Sequence, residues 1–339
     1  MSNEAPATAS ELVAPQPDVT PLSGGPRDWT TFAVLMGLAW VVPLAFGGFP
    51  LYIATVIAIS AIAALGLQVM VGLAGQLSLG HAAFVGIGAY TRVLLEKNFG
   101  ISFFLAAAAG TLLAGLAGLL MAQLVRLSGV YFKIATFGFG IIVYQLIANS
   151  TALTGGHAGL RGVPPIELWG ISLASKQWLF VMEMTTLTVV YALLLRMCNG
   201  RVGRALQAIG QDETAARSIG IETERYRMAV IALGCALAGL GGAFVPHLLR
   251  FLSPDSFSWH ESLTLLIMIA VGGLGSLPGA IVGAAIMIIL PELLRDLGEY
   301  KMLVYGCLLV ACMLYMPAGL AGAFKRAELR WRGRAERRR

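Results

Sequence analysis

The sequence predicts an all-α polytopic membrane protein of about ten transmembrane or re-entrant helices, several of them broken at glycine-rich points. Three observations carry this expectation. Of 339 residues, 57% are hydrophobic and 12% charged, where soluble domains average about 45–50% and about 25%; at about 20 residues per crossing, the apolar residues suffice for nine or ten spans. They are gathered into long runs separated by short polar breaks. Glycine is abundant, with 41 residues against a usual share of about 7%, and it clusters. This composition excludes a soluble enzyme and a nucleic-acid-binding domain. The net charge of +6 does not reopen the second, because the last 23 residues, from Pro317, hold eight Lys and Arg against two Glu and account for the whole excess.

Residues 1–28 are rich in Pro, Ala and Ser, with four acids against Arg27. A secretory leader needs a basic segment ahead of its apolar core, so a disordered cytoplasmic tail is expected here. Apolar runs then place spans at 29–46, 51–71, 78–95, 103–125, 131–148, 177–195, 228–246, 262–275, 279–293 and 301–317. The eighth and ninth are short and interrupted by glycine, which suits a broken or re-entrant segment. Lys and Arg set the orientation. The 196–227 loop carries Arg196, Arg201, Arg204, Arg217, Arg225 and Arg227, and the 317–339 tail carries eight basic residues, so both are expected in the cytoplasm. Six crossings back from Arg196 place the N-terminus inside as well, with the 126–133 link inside and the 149–176 loop outside. The plan is a tail (1–28), a membrane domain (29–316) containing the 196–227 loop, and a basic tail (317–339) that meets anionic lipid headgroups. Cys198, Cys235, Cys307 and Cys312 form no C-x-x-C pair and read as packing residues.

The chain has no G-x-x-x-x-G-K-[ST], H-E-x-x-H or G-x-S-x-G motif, so no catalytic residue, metal site or bound cofactor is expected; if ATP and Mg drive it, another subunit binds them. Glu183 is the acid set furthest into an apolar run, where an ionisable group suggests function. It lies about two turns from the outer end of its span, so snorkelling or a helix N-terminal dipole offers a structural alternative.

Two glycine clusters, Val71–Tyr90 and Val271–Ala285, each open a helix after a break. Close helix packing explains part of this. A transport pathway explains the rest, since unwound backbone at membrane depth is tolerated beside a cavity, where Gln76, Ser78 and His81 would face a polar solute. His81 reads either as a hydrogen-bonded structural residue or as a proton carrier. The 200–221 segment is amphipathic, with Val202, Ala205, Leu206, Ile209, Ala216 and Ile219 on one helical face. It suits an interfacial helix, a cap over the bundle, or a helix docked in a partner's groove, with Glu213 or Arg217 pairing across the contact.

Glu213-Thr-Ala-Ala-Arg-Ser-Ile-Gly220 resembles the E-A-A…G loop of ATP-binding-cassette importer permeases, with one residue inserted after the Glu. Gly72-Leu-Ala-Gly-Gln-Leu-Ser-Leu-Gly-His-Ala-Ala-Phe84, Gly129-Val-Tyr-Phe132, Thr154-Gly-Gly-His-Ala-Gly-Leu160 and Gly272-Gly-Leu-Gly-Ser-Leu-Pro-Gly279 occur in the order and spacing of the branched-chain amino acid permease family, LivM type. The resemblance covers about residues 51–316. It implies an importer subunit in the bacterial inner membrane, paired with a second related permease, two cytosolic ATPases and a periplasmic binding protein. In that reading the 203–220 helix couples to the ATPase through Gly203, Arg204, Ala205, Leu206, Ile209, Glu213, Ala215, Ala216, Arg217 and Gly220. The pathway passes Gly75, Gln76, Ser78, Gly80, His81, Tyr131, Thr136, Gly272, Gly275, Ser276 and Gly279. Thr154, Gly155, Gly156 and Gly159 shape the outer mouth.

The resemblance implies a cargo of branched-chain or similar hydrophobic amino acids, moved by alternating access. Urea and short-chain amide permeases resemble the same family and are the alternative. A stand-alone secondary transporter or channel is a third reading, and it requires further ionisable residues inside the membrane.

Overall fold

The structure, a computed structural model, describes residues 26–46, 48–126, 129–164, 166–168, 171–172, 175–315 and 319–322. The expected tails therefore lie almost wholly outside the described residues. Each of the ten apolar runs contains a helix among the described residues. In chain order the helices are α1 (Pro26–Phe46), α2 (Gly48–Ala74), α3 (His81–Phe99), α4 (Phe103–Ala122), α5 (Gly129–Asn149), the one-turn α6 (Thr151–Thr154), α7 (Lys176–Asn199), α8 (Arg201–Gln211), α9 (Glu213–Ser218), α10 (Thr223–Leu249), α11 (Trp259–Gly272), α12 (Leu277–Leu293) and α13 (Lys301–Tyr315). Short 3-10 turns lie at Gln123–Arg126, Gly156–Ala158, Pro254–Phe257 and Arg295–Tyr300, and there are two small antiparallel ribbons: β1 (Leu160–Arg161) pairs with β4 (Phe251–Leu252), and β2 (Glu167–Leu168) pairs with β3 (Ile171–Ser172).

Among the described residues, five helices are individually long and apolar enough to cross a membrane: α2, α4, α5 from Val130, α7 and α10. The bent pair α11–α12 makes a sixth candidate, turning through 118° at its break, as its short glycine-interrupted runs predict. Ten is thus an approximate number of spans, although each of the ten runs contains a helix. Helix α3 falls outside the apolar set because Arg92, Glu96 and Lys97 share its second half.

The centre of the bundle is α10 packed on α2, α3 and α4. Small residues decide how close these helices come. Gly66 of α2 faces Gly234 of α10, and Gly88 of α3 lies against Gly239 of α10, with Gly110 of α4 against Gly88 in turn. At each of these points a methyl group would overlap a backbone carbonyl, so the helices approach main chain to main chain, as membrane helices do when lipid offers no hydrophobic drive for association.

These contacts also set depth. Gly241 of α10 packs on Ile59 and Ala63 of α2, while Gly242 abuts Val85 of α3. Helix α3 therefore begins beside the middle of α2. Residues 75–80 run back along the C-terminal half of α2 as unwound chain, and His81 starts a helix inside the bundle rather than at its edge.

Candidate functional site

The first break begins where Gly75 leaves α2 with φ +64, a left-handed conformation that favours glycine. Its backbone is held from two sides. Leu79 N–H donates to Thr136 Oγ1 of α5 (3.2 Å) and Ala82 N–H donates to Ser262 Oγ of α11 (3.0 Å), so side chains satisfy the donors that an interior helix start leaves open. Gly80 sits against the Thr136 carbonyl, too close for any side chain. Gln76 Oε1 and Ser78 Oγ are buried without a hydrogen-bond partner among the described residues. His81 is fully buried, and neither ring nitrogen reaches a well-formed hydrogen bond; the Ala63 carbonyl is a loose contact. Buried polar atoms without a partner are rare in native proteins. Thr136 is buried and ties the break to α5, whereas Tyr131 stands 62% exposed on α5, apart from the other pathway residues.

The second break, 273–276, is held by Gln68 of α2, whose Nε2 donates to the carbonyls of Gly273 (2.9 Å) and Ser276 (3.0 Å). Ser276 caps α12 by accepting from Gly279 N–H (3.2 Å), and Gly275 turns the chain at φ +81. Gly272 and Gly279 touch backbone to backbone across the bend. A cavity of about 670 Å³ lies here, lined by Gly272, Ser276, Pro278 and Gly279 together with Thr30 and Val34 of α1. The two breaks are held by different partners: α5 and α11 for the first, α2 for the second. Each carbonyl also accepts a backbone N–H, Gly273 from Ser276 (3.2 Å) and Ser276 from Ala280 (3.1 Å), so Gln68→Leu is expected to remove two side-chain hydrogen bonds at about 0.5–1.5 kcal/mol each, lowering the melting temperature of the purified protein; an unchanged melting temperature would refute this role.

The loop after α7 departs from the single helix expected over 203–220. Asp212, in an extended conformation, divides it into α8 and α9 and caps the second piece by accepting from Thr214 N–H (2.8 Å) and Ala215 N–H (3.0 Å). Leu206, Ile209 and Ala216 are buried against the bundle, and Gly203 packs on the Cys198 carbonyl. Val202 is 41% and Ile219 75% exposed; the break at Asp212 rotates Ile219 off the face that a continuous helix would give it. Arg204, Ala215 and Gly220 are exposed and Ala205 half-buried. Glu213 and Arg217, expected to pair across an interface, pair within the chain. Glu213 receives Arg217 (2.8 Å), Arg227 (2.8 Å) and Thr223 Oγ1 (3.2 Å), and Arg217 Nε also donates to Thr223 (3.0 Å). Burial raises the Glu213 carboxyl, but Arg227, with Thr223 and Arg217, more than offsets this and holds it below the usual carboxylate range.

Residues 49–313 match the family described as "Branched-chain amino acid transport system / permease component". This chain belongs to that permease family. It is 34% identical over 311 residues to the high-affinity branched-chain amino acid transport system permease protein LivM of Escherichia coli K12, covering 85% of this chain and 73% of that one. It is also similar to LivH of E. coli K12, at 29% identity over 42% of this chain and 46% of that one, and to a probable LivH of Methanocaldococcus jannaschii, at 24% over 71% and 82%. No solved structure matches.

In this permease the expected mouth residues form a scaffold. Thr154 Oγ1 donates to the Ser150 carbonyl (2.7 Å) and accepts from Gly156 N–H (3.3 Å). Gly155, Gly156 and Gly159 all have positive φ, and Gly159 lies directly on Leu252 and Phe251, allowing β1 to reach β4. Glu183 does not snorkel: it is fully buried, and both carboxylate oxygens lack a partner among the described residues, because it projects on the face of α7 that carries Phe180, Leu187 and Tyr191 into the core. Cys198 and Cys235 are buried as expected, while Cys307 is exposed.

Sequence reasoning missed a second buried polar group. Arg92 of α3 is fully buried, pairs with Glu96 (2.8 Å), meets His247 Nε2 of α10 (2.6 Å) and lies over the Phe103 ring. The signal was present: Arg92, Glu96 and Lys97 follow one another at the end of the third apolar run, and Arg92 with Glu96 has the i,i+4 spacing of a helical ion pair. Gln68 and Ser262 gave no such signal, since their partners are backbone atoms far away in sequence.

Proposed function

We propose that this chain is the membrane-spanning subunit of an ATP-binding-cassette importer for branched-chain or similar hydrophobic amino acids. It works beside a second, LivH-like permease, with two cytosolic ATPases and a periplasmic binding protein. Both termini and the 196–227 loop face the cytoplasm of a bacterial inner membrane, and translocation proceeds by alternating access. The observation that carries this reading is the similarity to LivM over most of the chain, together with a weaker similarity to LivH, as expected of two permeases descended from one ancestor. Helices α8 and α9 suit the coupling role because their buried face joins them to α2, α7 and α10, so force applied to the loop reaches the bundle core. Isolation of the chain from its own membranes in mild detergent tests the assembly. The expected result is co-purification of a second polytopic permease and ATPases bearing P-loops; recovery alone or as a homo-oligomer through several detergents would overturn it.

A further inference from the structure

We propose that the corner between α7 and α8 binds an anionic phospholipid, with the phosphate held by Arg196, Arg201 and Arg204 and an acyl chain laid along the exposed face of α7. The site stands apart from the importer reading. The 196–227 loop carries six arginines, and the structure divides them. Those of its second half meet acids: Arg217 and Arg227 pair with Glu213, and Arg225 pairs with Glu222 (2.7 Å). Arg196, Arg201 and Arg204 are exposed and make no ion pair among the described residues; the chain holds no acid between Glu183 and Asp212. Packing gathers the three. Gly203 lies on the Cys198 carbonyl, and Arg204 Nη1 donates to the Asn199 carbonyl (3.2 Å). The first turn of α8, which Arg201 opens, is thereby folded back onto the end of α7, where Arg196 stands one turn before Gly200.

The depth of this corner in the membrane is marked independently. Exposed tryptophans belong at the two interfaces of a bilayer. Trp178 is exposed near the start of α7, and Trp29 is exposed at the start of α1, where it packs on Phe32, which stacks on Tyr191 towards the far end of α7 (5.2 Å). From Trp178 to Arg196 the helix rises about 27 Å at 1.5 Å per residue, close to the hydrocarbon thickness of about 30 Å. Arg196 therefore reaches the headgroup level. Below it, Val189 and Leu193 are exposed on the same helical face, opposite the one that carries Leu187 and Tyr191 into the core. An apolar stripe thus runs up to three unpaired guanidinium groups. A phospholipid has the complementary order, acyl chain then phosphate, and guanidinium groups match a phosphate with paired, charge-assisted hydrogen bonds. A net negative headgroup such as phosphatidylglycerol suits the site, whereas phosphatidylcholine brings a cation of its own into the cluster. The bound lipid would fix the first half of the loop to the membrane, as Glu213 fixes the second half to α10.

Lipid binding to the full chain in mild detergent, read by native mass spectrometry, tests the site with phosphatidylglycerol and phosphatidylcholine of the same acyl chains. Phosphatidylglycerol is expected to bind at least tenfold more tightly. The double variant Arg196→Gln, Arg201→Gln is expected to weaken it at least tenfold, whereas Lys97→Gln, Arg225→Gln, which removes the same charge from exposed positions elsewhere, should bind as the native chain does. Leu193→Gln, which interrupts the stripe without touching the arginines, is expected to weaken it several-fold. Melting temperatures establish that each variant is folded. Equal affinity for the two lipids overturns the site. So does native-like phosphatidylglycerol binding by the Arg196, Arg201 variant, which would place the lipid elsewhere, the basic tail included. Inorganic phosphate supplies the remaining arm: it is expected not to displace the lipid at equal concentration, and displacement would make this a site for free phosphate and overturn the lipid assignment.

Discussion

Replacing Gly88 with leucine is expected to remove the folded protein from the membrane. Three helices converge at this residue, with Gly239 of α10 on one side and Gly110 of α4 on the other, and a Cβ on Gly88 would overlap the Gly239 carbonyl and Cα. Obstruction by backbone differs from obstruction by a side chain: no rotamer change relieves it, and α3 must separate from α10 along its length. Inserting a methylene where side chains can shift costs about 1–3 kcal/mol. Here several carbons enter where none can shift, and the separation would also strain the Arg92–His247 contact and the Gly242–Val85 approach nearby. Gly88→Ala is expected to lower the melting temperature already. Gly138 of α5, with open space around its Cβ position, provides the control, and Gly138→Ala should be neutral or stabilising by about 0.5–1 kcal/mol through helix propensity. Membrane yield and elution profile in mild detergent report the outcome. A normal, monodisperse Gly88→Leu protein would show that the three-glycine contact does not hold the bundle together.

The second large effect concerns Glu213. On the proposed coupling role of this loop, Glu213→Lys is expected to reduce ATP-driven uptake at least tenfold while the protein still inserts at near-normal levels. Its carboxylate holds Arg217 of α9 and Arg227 of α10 together; a lysine in its place adds a third positive charge to that pair. Helix α9 would then lose the ion pairs that brace it against the start of α10, keeping only the Arg217–Thr223 hydrogen bond there, and the loop would pass a push to the bundle less rigidly. The damage is local because the buried anchors Leu206, Ile209 and Ala216 are untouched. Glu213→Gln, which can still accept from Thr223, should retain an intermediate rate. The pH dependence follows from the same geometry. A carboxyl held below its usual range contributes stability above the ordinary carboxylate pKa and loses it as the pH falls through its own lowered value; the loop should therefore be insensitive to pH around neutrality and loosen only under acid. Near-native uptake by Glu213→Lys, or release of the loop already at mildly acidic pH, would show that the network does not brace it.

The membrane class and the ten apolar runs were legible because hydropathy is a local property that adds along the chain: each expected run contains a helix among the described residues, from α1 to α13. The broken nature of the eighth and ninth runs was legible for a related reason, since Gly272, Gly273 and Gly275 with Pro278 cannot sustain one uninterrupted helix. The site was legible only in outline. Glycine clusters marked both breaks, yet nothing in their spacing distinguished Gly75, which turns the chain, from Gly80, which lets α5 approach. Helical periodicity placed Ile219 beside Leu206 and Ile209, but one residue, Asp212, resets the helix between them.

By itself the sequence determined that this protein is an α-helical membrane protein, where its helices lie, and which family it resembles. These depend on short stretches of chain and on motifs read in order. The tertiary structure decided that α3 starts inside the bundle, that Glu183 and Arg92 are buried at full depth, and that Glu213 serves its own loop. The physical reason is the same in each case. Burial, ion pairing and cavity lining depend on which helix stands opposite, and in a bundle where glycines bring backbones into contact, that choice is made by packing between residues far apart in the chain.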